Sequence, residues 1–174
     1  MMNDEGGKTL PNSAIKNFFF PKLNRKVIIR IALVGIIAFI FFKYILIPFR
    51  ISGHSMDPTY RNGDVNFCFT FRYLLSRPKA FDVVTVRLSG RHVMLLKRII
   101  ATEGQTVEFR KGQVLVNGNI LREPYVAGRF SWDLPVRTVK KGHVYVVGDN
   151  RNVPIETHDF GQTPINRIIG APLW

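Results

Sequence analysis

Cysteine is almost absent from this chain of 174 residues, which contains a single one, Cys68. One cysteine excludes an intramolecular disulfide and a cysteine-based metal cluster. Cys68 lies in an apolar, strand-like run, where a free cysteine usually packs as a small buried hydrophobe. Histidine is also scarce, and none of the four histidines has a metal-ligand spacing with Asp, Glu or Cys. The sequence therefore predicts no metal site.

Acidic residues are few, with 12 Asp and Glu against 25 Lys and Arg, so the formal net charge is +13. The basic excess is spread along the chain and is not confined to one arm. Such a charge suits either nucleic acid or anionic lipid. The sequence has no zinc-finger spacing, no RNA-binding aromatic motif and no phosphate-binding glycine loop. We therefore predict no nucleic acid partner and no cofactor.

One long apolar run is present near the N-terminus. Residues 31–42 carry no charge, and the run extends over 27–49 if Arg30 and Lys43 reach the two membrane interfaces. A cleaved signal peptide would need small residues at its cleavage site, and none follows the run. A core helix of a soluble domain is the other alternative, but the run has no polar face. The pattern predicts an uncleaved transmembrane helix that Pro48 ends, with membrane lipid as a partner.

The charge before this helix predicts its orientation, because positively charged flanks stay in the cytoplasm. We therefore expect a cytoplasmic basic tail over 1–26, an anchor over 27–49 and an extracytoplasmic domain over 50–174, at the cytoplasmic membrane. The basic residues that precede the span are Lys8, Lys16, Lys22, Arg25 and Lys26.

The rest of the chain has the pattern of a mostly β domain with antiparallel strands. Short β-branched or aromatic runs alternate with turn residues, and no long amphipathic helix follows the span. Asn117-Gly118 between two apolar runs predicts a hairpin with a type I′ turn. Residues 122–138 have several glycine and proline breaks and predict a loop or flap. The predicted strands cover residues 64–71, 81–88, 91–100, 105–109, 114–116, 143–147 and 165–169.

Two residues suggest chemistry, Ser55 just after the apolar run and Lys97 in an apolar strand. A serine nucleophile needs a base, and a lysine can be that base only if desolvation lowers its pKa toward neutrality. By strand alternation Leu95 and Ile99 share the face of Lys97, whereas Arg98 lies on the other face. The alternatives are a turn serine and a solvent-facing lysine. A dyad of Ser55 with His54 is disfavoured because adjacent residues on an extended chain point apart.

Three segments together resemble the type I signal peptidases, a family of membrane proteases with a Ser/Lys dyad. Residues 52–59 (SGHSMDPT) resemble the nucleophile segment, 97–100 (KRII) the lysine segment, and 148–151 (GDNR) a third signature. They occur in the family's order. The resemblance implies a serine endopeptidase that removes N-terminal signal peptides from exported preproteins at the outer face of the cytoplasmic membrane.

The resemblance also implies roles for individual residues. Ser55 would be the nucleophile and Lys97 the general base, and the backbone N–H groups of Gly53 and Ser55 would stabilise the oxyanion. Small substrate side chains at the first and third positions before the cut would enter shallow pockets. The pocket residues would be Ile51, Met56 and Leu95.

The third signature implies supporting roles for Asp149, Asn150 and Arg151 beneath the site. Relatives carry a serine, then D-S-R before a glycine, whereas this chain has Pro154 and then Glu156-Thr157-His158. The missing serine could have held the lysine amine, so we expect Thr157 to take over that hydrogen bond. The same changes alter an ion pair expected for Arg151. Phe81 is a milder departure, at a position where glycine is common.

Other functions stay open on the sequence alone. A specialised Ser/Lys peptidase for a pilin or conjugation-type substrate would differ in substrate range. A non-catalytic, membrane-anchored β-module that binds peptides or lipid would fit the departures near Pro154 and His158. A soluble self-cleaving repressor with a Ser/Lys site would need an N-terminal DNA-binding domain, and the apolar run occupies that place.

Overall fold

The computed structural model describes residues 24–87, 94–126, 128, 131–157 and 160–174, so the predicted tail up to residue 23 lies outside it. The chain divides into two compact units, Met1–Phe41 and Phe42–Trp174. In the first unit, helix α1 spans Arg25–Ile40 and begins at Asn24, whose side chain accepts the Val27 N–H. No residue of α1 is buried.

The helix ends earlier than the sequence predicts. A π-helical turn, Phe41–Ile45, continues α1, and together they form a helix of 21 residues that is long and apolar enough to span a membrane. The expected last turn of the anchor is instead strand β1, Leu46–Arg50. Pro48, which was expected to end the helix, pairs with Phe67 in this strand. Proline is tolerated there because β1 is an edge strand.

The second unit is built from antiparallel strands, as the sequence predicts. The strands that follow β1 are β2 Val65–Phe69, β3 Val83–Arg87, β4 Met94–Thr102, β5 Thr106–Arg110, β6 Gln113–Val116, β7 Asn119–Ile120, β8 Leu134–Thr138, β9 His143–Val147, β10 Gly161–Pro164 and β11 Ile168–Pro172. A seven-stranded sheet has the order β1-β2-β11-β3-β4-β9-β10, and a four-stranded sheet has the order β7-β6-β5-β8.

Two local predictions have different outcomes. The hairpin at Asn117-Gly118 is confirmed, since it joins β6 to β7 and both residues have positive φ, 51° and 77°. This is the conformation that a type I′ turn requires. The loop predicted over 122–138 is wrong in part, because β8 occupies its end and pairs with β5. The last predicted strand is also displaced, since Ile165–Arg167 is a 3₁₀ turn and β11 begins after it.

Both faces of strands β4 and β9 are buried, so these strands read as nearly continuous apolar runs. One face packs against the small sheet, in a cluster that includes Phe109, Trp132 and Tyr145, with Phe160 stacked on Trp132. The other face carries a second cluster that includes Val84, Val86, Ile99, Val144 and Val146. Packing on both faces therefore restricts the position of β4, and with it the position of Lys97 on that strand.

A buried ion pair fixes the loop that follows β7 against the loop that follows β9. Arg151 Nη2 lies 2.6 Å from Glu123 Oε1, and both side chains are almost fully buried. Arg151 also donates from Nε to the Gly148 carbonyl at 2.7 Å, and Tyr125 donates its hydroxyl to Glu123 at 3.1 Å. Removing one partner of such a pair leaves an uncompensated buried charge.

This pair generates a stability prediction. Glu123→Leu should lower the free energy of unfolding by about 3 kcal/mol or more, because the Arg151 guanidinium then stays buried without its carboxylate. The double variant Glu123→Leu/Arg151→Met removes both charges and should recover much of the loss. Thermal or denaturant unfolding of the full chain in detergent micelles measures both. A double variant as unstable as the single one would contradict this account.

Candidate active site

The segment with Ser55 is a turn-rich loop between β1 and β2. Gly53 has φ of +94°, a conformation that side chains rarely adopt, and its N–H donates to Asn62 Oδ1 at 3.0 Å. The position therefore needs glycine for a backbone reason. His54 Nδ1 lies 2.8 Å from Asp57 Oδ2, so the imidazole is engaged with that carboxylate on the exposed side of the loop.

Lys97 lies on β4, opposite Val84 of β3, and is only 3% exposed. A lysine buried to this degree is unusual, because burial disfavours the charged ammonium. Its side chain lines a cavity of about 150 Å³. The other lining residues are Val86, Arg87, Leu95, Val146, Phe160, Thr163 and Arg167.

An apolar cluster brings the serine loop against β4. It contains Ile51, Met56 and Leu96, which are 7%, 2% and 8% exposed. Ser55 precedes Met56 in the chain and Lys97 follows Leu96, so the cluster places the two segments side by side. The sequence assigned Leu95 to the pocket with Ile51 and Met56. The structure places Leu96 in the cluster with Ile51 and Met56, and Leu95 lines the lysine cavity, since alternate residues of a strand face opposite sides. The substrate role of Ile51, Met56 and Leu95 stays a prediction.

The carboxylate of Asp149 joins all three sequence signatures. It is fully buried and accepts two hydrogen bonds from Arg98, from Nε to Oδ1 at 2.8 Å and from Nη2 to Oδ2 at 2.7 Å. Thr59 donates its hydroxyl to Oδ2 at 2.6 Å. Thr59 belongs to the serine segment and Arg98 follows Lys97. The resemblance implied a supporting role for Asp149 but did not identify these two partners.

Asn150 fastens the serine loop directly. Its backbone N–H donates to the Ser55 carbonyl at 3.0 Å, and its side-chain amide donates to the His54 carbonyl at 2.9 Å. These two bonds hold the peptide groups on both sides of Ser55. Asn150 therefore contacts the serine loop through both its backbone and its side chain, and the supporting role predicted for it stays a prediction.

Arg151 has a different partner from the one expected. The sequence placed its ion pair near Glu156 and His158, but Arg151 pairs with Glu123 and Glu156 is exposed. His158 lies outside the described residues. Thr157 ends a 3₁₀ turn, Ile155–Thr157, and its side chain is also outside the described part of the chain. Its proposed hydrogen bond to Lys97 stays a prediction.

Electrostatics around Asp149 keep Arg98 charged. Burial by itself would lower the pKa of Arg98, but the hydrogen bonds and the charge of Asp149 outweigh it and raise the pKa. Burial also raises the pKa of the neighbouring Tyr60 phenol. Across the described residues, no group of three or more His, Cys, Asp or Glu could hold a metal ion. The ionisable groups of the site thus include the Arg98–Asp149 ion pair, which supports the loop, and the buried lysine Lys97.

Comparisons with known proteins identify the family that this chain resembles. Residues 24–173 match the family described as signal peptidase, peptidase S26. Signal peptidase IB of Staphylococcus aureus (strain Mu50) is 31% identical over 82% of this chain and 84% of that protein, and signal peptidase I V of Bacillus subtilis (strain 168) is 30% identical over 73% and 83%.

In two further comparisons, the match covers a smaller share of one of the two chains compared. Thylakoidal processing peptidase 1 of Arabidopsis thaliana is 31% identical over 73% of this chain, and the match spans about two fifths of that protein, 41%. A solved signal peptidase I from Enterococcus faecalis V583 has a TM-score of 0.47 and 25% identity, over 55% of this chain and 97% of that chain. With the family match over residues 24–173, this chain belongs to the signal peptidase family, peptidase S26.

Proposed function

We propose that this protein is a membrane-anchored serine endopeptidase that removes N-terminal signal peptides from exported preproteins. The observation that carries the proposal is the junction at Asp149. It ties Thr59 of the serine segment and Arg98 of the lysine segment to the GDNR loop. Relatives named signal peptidase I in Bacillus and Staphylococcus supply the substrate class.

The proposed reaction starts with Ser55 Oγ attacking the carbonyl carbon of the scissile peptide. The neutral Lys97 amine takes the hydroxyl proton, and the carbonyl oxygen becomes an oxyanion that accepts a hydrogen bond from the Ser55 N–H. Collapse breaks the C–N bond, and the lysine proton passes to the leaving amine of the mature protein. Water then hydrolyses the acyl-enzyme with Lys97 again as base. The Gly53 N–H is donated to Asn62, so we assign the oxyanion to Ser55 first.

We propose that Ile51, Met56 and Leu95 receive the small side chains of the substrate before the cut. Ile51 and Met56 belong to the apolar cluster of the serine loop. Leu95 lines the cavity that also contains Lys97, so it lies beside the proposed base.

We further propose that the chain crosses the cytoplasmic membrane once, with its N-terminus in the cytoplasm and the β domain outside. One helix, Arg25–Ile45, suits a span among the described residues. The basic residues before it favour this orientation. Confinement of enzyme and preprotein to one membrane raises their effective concentration.

Substitution of either proposed catalytic residue should abolish cleavage. Ser55→Ala and Lys97→Ala should each slow processing of a preprotein by at least about a thousandfold, and the losses should not add because the two groups act together. Lys97→Arg should fail as well, since a guanidinium does not deprotonate. Ser52→Ala is the matched control, because Ser52 is an exposed serine in the same loop, and this variant should stay active. An active Lys97→Arg enzyme would remove the lysine-base mechanism.

The rate should depend on pH in a defined direction. Only the neutral amine of Lys97 accepts a proton, so cleavage should rise with pH between about pH 5 and pH 9 and vanish in acid. Single-turnover cleavage of a synthetic signal-peptide substrate in detergent measures this profile. A rate that is flat, or higher at the acidic end, would indicate a carboxylate base.

Protease protection tests the proposed orientation. A protease added to intact spheroplasts should digest the domain after Arg50 and spare an epitope tag placed at the N-terminus. Inside-out vesicles should give the reverse pattern and serve as the control. Digestion of the tag in intact spheroplasts, with the domain protected, would reverse the orientation and contradict processing at the outer face.

A further inference from the structure

One residue outside the three sequence signatures, Asn62, closes the loop that carries Ser55. Its side-chain oxygen Oδ1 accepts a hydrogen bond from the Gly53 N–H at 3.0 Å, nine residues away in sequence. Asn62 is exposed and lies in the turn before β2. Such a hydrogen bond adds only about 0.5–1.5 kcal/mol to stability, so its main consequence is where it holds the loop backbone.

The bond extends the pairing of the two segments that meet at the base of the loop. Ile51 donates its N–H to the Asp64 carbonyl at 2.8 Å and accepts the Gly63 N–H at 2.9 Å. The next contact between these segments is made by a side chain, since Asn62 accepts the Gly53 N–H. Asn62 thus adds one hydrogen bond to the antiparallel pairing, and the part of the loop with Ser55 begins directly after it.

Gly53 needs such an outside contact to keep its conformation. Its φ is +94°, and glycine has more backbone freedom than any other residue, so nothing in Gly53 itself restricts this angle. The peptide that precedes Gly53 is held at its N–H by Asn62. The peptide that precedes Ser55 is held at its carbonyl, the His54 oxygen, by the side-chain amide of Asn150. The two asparagines therefore hold the peptides at both ends of this short segment.

The second of these peptides carries the donor proposed for the oxyanion, the Ser55 N–H. A peptide group is planar and trans, so its N–H and its C=O point in opposite directions. Because the carbonyl points to Asn150, the Ser55 N–H points away from Asn150. No acceptor for this N–H lies among the described residues, so it is available to a substrate oxygen. An oxyanion donor must lie about 2.7–3.1 Å from the developing charge, so its direction decides how strongly it stabilises that charge.

We infer that Asn62 is a positioning residue for the proposed reaction: by holding Gly53 at its positive φ, it keeps the Ser55 N–H directed at the oxyanion. The inference rests on the proposed function. Without Asn62, the peptide before Gly53 is free to rotate, and glycine has no side chain to resist that rotation. The loop itself remains fastened by the backbone bonds of Ile51 and Asn150. Loss of the Asn62 side chain should therefore slow the chemical step and leave substrate binding unchanged.

Three variants of the full chain in detergent micelles test the inference. Asn62→Ala removes the acceptor, whereas Asn62→Asp keeps an acceptor oxygen for the Gly53 N–H. Asn119→Ala is the control, because Asn119 is an exposed asparagine in the small sheet. Steady-state cleavage of a synthetic signal-peptide substrate gives kcat and KM for each variant.

A peptide aldehyde with the residues that precede the cut gives a second measurement. Ser55 Oγ bonds to the aldehyde carbon, the serine proton passes to Lys97, and the aldehyde oxygen becomes an anion at the oxyanion position. Its dissociation constant therefore depends on the Ser55 N–H, as expected for a compound that resembles the transition state. KM reports mainly on binding of the uncleaved substrate.

We expect Asn62→Ala to lower kcat by about tenfold to a hundredfold and to change KM by less than about twofold, because a misplacement of about 1 Å costs up to about a hundredfold. The aldehyde should bind more weakly by a similar factor. The pH profile should keep its midpoint, since Lys97 lies in its own cavity. Asn62→Asp should recover most of kcat in 1 M salt, where a Debye length of about 3 Å screens the added charge. Asn119→Ala should match the unmodified protein.

Other results overturn the inference. An unchanged kcat for Asn62→Ala, or a loss that Asn62→Asp does not recover, would show that Asn62 does not act through the Gly53 N–H. A raised KM at unchanged kcat would indicate contact with the substrate. A lower thermal unfolding midpoint with unchanged kcat below that midpoint would indicate a structural role only.

Ser55→Ala in the same assay separates this inference from the proposed function. Cleavage by Ser55→Ala would overturn the proposed function itself. Loss of cleavage in Ser55→Ala, together with an unchanged rate in Asn62→Ala, would overturn only the role of Asn62.

Discussion

The carboxylate of Asp149 has no access to solvent, and the arrangement of the site follows from that constraint. An ionised carboxylate away from water is costly unless a cation and hydrogen bonds compensate it. Arg98 and Thr59 supply both, and they come from segments 51 and 90 residues away in sequence. The need to satisfy one buried charge therefore fixes the serine loop, the lysine strand and the GDNR loop relative to one another.

The alternation of β4 keeps the buried amine apart from this buried ion pair. Leu96 packs with Met56 of the serine loop and Arg98 reaches Asp149, whereas Lys97 opens into the cavity with Leu95. Arg98 and Thr59 compensate the buried Asp149 carboxylate from the face of β4 opposite to the one that carries Lys97 and from the serine segment. The carboxylate therefore organises the serine loop from the face of β4 that does not carry the proposed base.

The sequence predicted the fold class and the positions of most strands, because these depend on local patterns such as apolar runs and Asn-Gly at the hairpin. The resemblance to the type I signal peptidases indicated the segments that form the site. The sequence did not predict that Leu46–Arg50 is a strand, because an apolar run next to a span is equally compatible with a helix. The strand depends on pairing with β2, which is distant in sequence and cannot be inferred from the run itself. The sequence also did not identify Glu123 as a partner of Arg151, since a pairing over 28 residues depends on how two loops pack.

Phe81 illustrates how a residue that breaks a local rule is compensated by its surroundings. Its φ is +73°, in the left-handed region that favours glycine, and a bulky residue there costs about 1–3 kcal/mol. Its ring, however, lies edge-on to the Tyr125 ring, with 6.4 Å between the two centroids. The Arg98 guanidinium lies 4.0 Å from the centroid of the Tyr125 ring. An aromatic pair and a cation–π contact contribute about 0.5–2 kcal/mol each. Glycine would relieve the backbone but remove the ring that contacts Tyr125, and Tyr125 contacts the cation that Asp149 binds. The aromatic contact therefore offsets part of the backbone cost at Phe81 and links this position to the ion pair of the site.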